Sequence, residues 1–135
     1  MSGVEYRESV VGLTADSLRG FFVGWPQPPS SERLLELLRS STYAVVAVDG
    51  ERVVGFVTAI SDGVLSAYVP LLEVLPDYQG RGIGSELARR VLARLEGLYM
   101  VDLACDEELV PFYERLGLMR VGVAMGIRNR SALRR

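Results

Sequence analysis

The chain has no histidine, no lysine and a single cysteine, Cys105, in 135 residues. Without histidine there is no Ser-His-Asp triad, no imidazole metal ligand and no ordinary general base at neutral pH. All fifteen basic residues are arginine. That excludes a Walker-type lysine and Schiff-base chemistry. One cysteine excludes an internal disulfide and a cysteine-rich zinc site, so no metal is expected. No apolar run approaches the roughly 18 residues of a membrane span. The opening "MSGVEYRESVVG" lacks the charged-then-apolar order of a signal peptide. With a formal net charge of −2, no general attraction to nucleic acid or acidic membrane is implied. The basic ending "RNRSALRR" reads as a solvated tail. A cytoplasmic protein is expected.

What is present suits one globular domain over residues 1–135. Hydrophobic content is 49% and charged content 24%, which excludes a disordered chain. A short strand is expected over Val4 to Ser9. Thr14 or Asp16 can cap a first helix reaching Phe22, stopped by "GWPQPPS". Ser30 or Ser31 then caps "SERLLELLRSS", whose leucines form one stripe. Asp49-Gly50 and Asp62-Gly63 are hairpin dipeptides between β-branched runs. They imply antiparallel strands over roughly 42–48, 52–60 and 64–75. From Arg81 to Glu96 the apolar residues share one helical face. "YMVDLAC" reads as a strand, "VPFYERLG" as a short helix, and "LMRVGVAMGIRN" as a last strand or hairpin. The order predicts an α+β fold. Its sheet is mixed and mostly antiparallel, flanked by helices, with one βαβ crossover.

The crossover turns on "VLPDYQGRGIGS". Its glycines at 80, 82 and 84 admit three readings. One is a turn whose glycines solve a steric problem. A dinucleotide fingerprint is another. It needs a third glycine at 85 or 87, where Ser85 and Leu87 stand, so it fails. The third is a helix N-terminus whose free amides bind phosphate.

The run Gln79-Gly80-Arg81-Gly82-Ile83-Gly84 resembles the acetyl-CoA motif Q/R-x-x-G-x-G/A of the GNAT superfamily of N-acetyltransferases. "VPFYERLGLMRVG" resembles that superfamily's C-terminal helix. The resemblance implies acetyl-CoA as co-substrate. Its pyrophosphate would lie against Gly80, Arg81, Gly82, Ile83, Gly84 and Ser85, where a side chain at 82 or 84 would hold the anion off. Its pantetheine arm would lie along Glu73 to Leu75, with an oxyanion amide near Val74 or Leu75. It implies acetyl transfer to a primary amine, of a small molecule or peptide, by direct attack in a ternary complex. The alternative is a non-catalytic acyl-CoA sensor of the same fold. Tyr113 aligns with the catalytic acid of that superfamily, and a phenol near pKa 10 holds its proton at neutral pH. Glu73, in an otherwise apolar strand, is the candidate base, against a reading as a solvent-facing or arginine-paired strand residue. Asp106 stands where relatives carry a cofactor-contacting asparagine, and either contacts the cofactor or caps the last helix. Cys105 reads as a small buried hydrophobe. Phe21, Phe22, Trp25, Tyr43 and Tyr68 are candidates for the acceptor site, with an acidic rim from Asp62, Glu73 and Asp102. The resemblance also admits a homodimer.

Overall fold

The computed structural model describes residues 3–134. Its strands are β1 (Val4–Arg7), β2 (Tyr43–Asp49), β3 (Arg52–Ser61), β4 (Ser66–Tyr68), β5 (Leu72–Val74) and β6 (Met100–Asp102). Its α-helices are α1 (Ser31–Ser40), α2 (Ile83–Arg94) and α3 (Val110–Arg115). The sheet runs β1-β2-β3-β4-β6, with β5 also paired to β3. All pairs are antiparallel except β4 with β6. The α+β class and the single crossover through α2 are as the sequence predicts. No described helix is long and apolar enough to cross a membrane.

The sheet divides the core in two. Phe56 and Glu73 are register partners, so their side chains share one face. On that face the rings of Phe21 and Phe22 lie edge-on to Phe56, at 5.1 and 6.3 Å between centroids. The opposite face carries α2, which buries Ile83, Leu87, Ala88 and Val91. Gly55 of β3 lets that helix approach. A Cβ there would meet Leu87 Cδ1 at 3.0 Å, and Ile83 Cγ2 and the Glu73 carbonyl oxygen at 3.3 Å.

Four expectations change. The first predicted helix is a single 3₁₀ turn, Ala15–Leu18, closed by a capping box between Thr14 and Ser17. Beyond it Gly20 and Phe22 take φ of +96° and +63°, which ends any helix. The predicted 64–75 strand is broken. Between Val57 and Ile60, β3 has two residues, whereas its partner chain has three between Tyr68 and Leu72. The extra residue is a bulge, and Pro70 within it has no N–H to give the ladder. The predicted last strand is absent: from Met119 to Asn129 there is no helix or strand. Apolar alternation is present there, but a strand forms only against a partner, and the chain bends at Gly122, φ +57°. Cys105 is exposed, because β6 ends at Asp102 before reaching it.

Gly55→Ala is expected to lower unfolding free energy by roughly 1–3 kcal/mol through overpacking against α2. A urea titration of the variant beside the unaltered chain measures it.

Candidate active site

β4 and β6 pair over Ser66–Tyr68 and Met100–Asp102. The Val69 amide donating to the Asp102 carbonyl at 3.0 Å is the last backbone bond joining them. Past the bulge the chain turns to β3 as β5, so β5 and β6 part and a groove opens. Val57, Val69, Leu72, Leu92, Leu103 and Tyr113 line its apolar floor.

The ladder decides which peptide groups of β5 face the groove. The Leu75 amide donates to Val54 at 2.9 Å, and the Leu71 carbonyl accepts from Thr58 at 3.1 Å. Alternation then turns the peptide groups of Leu72 and Val74 away from β3. Of the two amides expected to meet an oxyanion, Val74 is free and Leu75 is engaged by β3. The Val74 carbonyl accepts from Gln79 Nε2 at 3.0 Å, so Gln79 fastens the 76–78 turn to β5.

At the head of the groove α2 begins. Its first helical bond runs from the Glu86 amide to the Gly82 carbonyl, and no side chain caps it. None of the amides from Gly80 to Ser85 donates to an acceptor among the described residues. Gly80 and Gly82 have φ of +78° and +81°, with open space where a Cβ would stand. Glycine is required there for conformation, and the space in front stays clear. Gly84 differs from expectation. A Cβ there would lie 3.7 Å from Val74 Cγ2 and 3.8 Å from Phe112 Cζ, both ordinary contacts. It faces β5 and α3. Arg81 folds back, donating to the Asp77 carbonyl at 3.0 Å and stacking on the Tyr78 ring at 4.8 Å. The Tyr78 hydroxyl donates to Asp49 Oδ2 at 2.6 Å, so the turn is tied to β2.

Tyr113 enters from α3. Half-buried, it lies edge-on to Phe112 at 4.9 Å. Burial pushes its phenol above the ordinary value, and nearby Cys105 adds to this. It therefore keeps its proton throughout the neutral range.

Glu73 is engaged. Its carboxylate accepts from the Phe22 amide at 2.9 Å and the Val23 amide at 3.3 Å. That clamp holds Phe22 in the left-handed region, a strained conformation for a non-glycine residue. The sequence signals an unusual acid in an apolar strand but not this partner, 51 residues away. Asp62 is likewise committed. Amides of Leu65, Val64 and Ser66 hold its carboxyl down at about 2. The expected acidic rim is therefore not a set of free counter-ions. Asp106 begins the 3₁₀ turn Glu107–Leu109 through its carbonyl, and its side chain makes no capping bond. Phe21 and Phe22 are core, and Tyr43 lies under the Arg94 guanidinium. Trp25 at 40% and Tyr68 at 44% exposure remain accessible. Among the described residues no group of three acidic or sulfur side chains gathers to hold a metal ion.

A splayed mixed sheet with an uncapped, glycine-led helix at the splay defines a class of coenzyme-binding acyltransferase folds, and comparison with known proteins gives the family. Residues 10–118 match the acetyltransferase (GNAT) family, and the chain belongs to it. A putative acetyltransferase from Deinococcus radiodurans R1 is similar at 46% identity and a TM-score of 0.92, over 97% of this chain and 95% of that one. A GNAT family acetyltransferase from Streptococcus pneumoniae TIGR4 is similar at 31% identity and a TM-score of 0.73, over 93% and 99%. The chloroplastic serotonin N-acetyltransferase 2 of Oryza sativa subsp. japonica is 32% identical over 85% of this chain and 61% of its own length. The chain spans roughly half to three-fifths of the curated relatives it matches.

Glu73→Ala is expected to speed hydrogen exchange at the Phe22 and Val23 amides by about tenfold or more. This follows from losing bonds to a charged acceptor worth about 1.5–3 kcal/mol. Glu73→Gln, which keeps an acceptor oxygen, is expected to fall between. Amide-resolved exchange measures both.

Proposed function

We propose that the protein is an N-acetyltransferase. It moves acetyl from acetyl-CoA to a primary amine of a small molecule or peptide, by direct attack in a ternary complex. The observation that carries this is the run of unengaged amides from Gly80 to Ser85, with the free Val74 amide on the strand leading into it. Amides at the positive end of a helix suit a pyrophosphate. An outward strand edge suits the amide groups of a pantetheine arm, which bind as an added strand does. The Val74 amide is the donor for a developing oxyanion. Arg81 supplies positive charge beside the phosphates once it leaves the Tyr78 ring.

Acetyl transfer forms a bond from the amine nitrogen to the thioester carbonyl carbon and breaks the carbon–sulfur bond. The departing sulfur takes a proton, and Tyr113 is the donor in this reading. Its raised pKa supports that role, because the phenol stays protonated. Glu73 holds the Gly20–Trp25 loop and is not free to accept the amine's proton. The amine is therefore taken from its neutral population in solution. The loop, with Val23 and Trp25 exposed, lies on the face expected to receive the acceptor. The rice relative named for serotonin makes an arylalkylamine a sensible first member of an acceptor panel. A single exposed, unpaired cysteine suits a cytoplasmic setting.

Calorimetry is expected to show acetyl-CoA binding, weakened about tenfold or more by Gly82→Val, which strains the left-handed position at the helix start. The absence of binding by the unaltered chain would sink the assignment. Binding without thiol release across a panel of amines would favour the acyl-CoA sensor instead. Tyr113→Phe is expected to lower kcat by roughly 10²-fold or more, the low end for losing a general acid, with acetyl-CoA affinity within about twofold. In the unaltered enzyme the rate is expected to rise with pH as the acceptor amine deprotonates. The falling limb is expected only above about pH 10, where the phenol loses its proton. A pH–rate profile with single-turnover controls tests the assignment.

A further inference from the structure

A cavity of about 300 Å³ opens on the β1 side of the sheet, across β2 and β3 from the groove described above. It shares no lining residue with that groove. Its origin is a mismatch in strand length. β1 stops at Arg7, opposite Val46, whereas β2 begins at Tyr43. Past β1 the chain turns, with the Leu13 amide donating to the Val10 carbonyl at 3.2 Å. The start of β2 therefore has β3 along one edge and the cavity along the other.

The ladder decides what that open edge offers. The Thr58 amide donates to the Leu71 carbonyl at 3.1 Å, so the peptide groups of Thr58 face β5. Its register partner on β2 is Ala44. Facing residues of an antiparallel pair exchange both hydrogen bonds or neither. Ala44 therefore turns its N–H and C=O away from β3 and toward the cavity it lines. Among the described residues neither group has a partner. Ala44 is only 7% exposed, and backbone groups so nearly buried are ordinarily paired.

Two arginines line the same cavity, Arg39 from the last turn of α1 and Arg94 from the end of α2. Arg94 is committed: it pairs with Glu8 at 3.2 Å and lies over the Tyr43 ring at 4.8 Å. Arg39 makes no ion pair among the described residues. What the cavity holds unspent is one N–H and one C=O on a single residue, with one cation beside them. An extended ligand meets such a residue with its own N–H and C=O on either side of one carbon. An N-acyl amino acid has this form. Its amide N–H donates to the Ala44 carbonyl, its carboxylate accepts from the Ala44 amide, and the same carboxylate takes the Arg39 guanidinium. We propose that this cavity is a second ligand site, separate from the acetyl-transfer groove, for a small molecule whose amide and carboxylate flank one carbon. Its volume stands at the lower end of small-molecule pockets, which suits a ligand of that size. The inference is independent of the acetyl-transfer reading.

Titrating the isotope-labelled full chain with N-acetyl-L-alanine, to about 10 mM, is expected to move the Ala44 amide resonance in a saturable way. The methyl ester of the same compound, which lacks the charge, is expected to bind at least about tenfold more weakly. Arg39→Ala is expected to weaken N-acetylalanine to a similar degree while circular dichroism stays unchanged, with Arg39→Lys in between. Acetate, which lacks the amide, is expected to leave Ala44 unmoved. The last residue of a peptide carries the same two groups, so tetra-alanine is titrated beside N-acetylalanine. Tighter binding of the peptide assigns the site to peptide C-termini, and equal or weaker binding assigns it to free N-acyl amino acids. The absence of a saturable shift at Ala44 overturns the proposal. So does a shift that acetate reproduces, and so does binding undiminished by esterification or by Arg39→Ala.

Discussion

The strand that returns along β3 is one residue too long for it. Between the pairs Val57–Leu72 and Ile60–Tyr68 it carries three residues against two, and Pro70 among them has no N–H. A sheet cannot stay continuous across such a mismatch, so its two halves go separate ways. β6 follows β4, β5 stays with β3, and the groove is the gap between them. The same phase sets the uses of β5. Val74 presents its amide to the opening, while Glu73 turns its carboxylate to the opposite face and meets the Phe22 amide. Were the bulge removed, β5 and β6 would close into one sheet and Val74 would lose its free peptide group.

The helix at the head of the groove depends on a second constraint, the bare position at Gly55. Leu87 and Ile83 rest where a Cβ would stand, so α2 lies close on β3 and its first turn arrives beside Val74. Gly80 and Gly82 then let the chain enter the helix through left-handed conformations. The amides of that entry are left without acceptors among the described residues. Close packing on one side of the helix and an unsatisfied end on the other are two consequences of where glycines fall.

Much of this was legible in the sequence because it is local. The glycine spacing, the Ser30 cap of α1, the apolar stripe of α2 and the hairpin dipeptides each act within a few residues. What was not legible depends on distant partners. Thr14 does cap a turn, but the helix predicted beyond it is cut short where Glu73, far along the chain, takes the Phe22 and Val23 amides. Gly84 was grouped with Gly80 and Gly82 by spacing, yet its surroundings are Val74 and Phe112. The alternation after Leu118 reads as strand-forming, yet no strand forms there. A strand also needs an edge, and sequence alternation says nothing of where that edge lies.

The clamp on Glu73 also bears on the economy of the proposed chemistry. A chain without histidine or lysine has carboxylates, phenols and the Cys105 thiol as its remaining side-chain proton carriers. Two of the carboxylates expected near the acceptor, Glu73 and Asp62, are bound to backbone amides and serve to shape loops. The phenol of Tyr113, held protonated by burial, is suited to give a proton and unsuited to take one. A site of this kind assists departure of the leaving group and leaves deprotonation of the nucleophile to the solvent. Acceptors of low pKa gain most from it, because more of their population is already neutral at working pH. The strained Phe22 loop then acts by position. Glu73 fixes that loop through the Phe22 and Val23 amides, and in the proposed reading its part is to hold this loop as a wall for the acceptor.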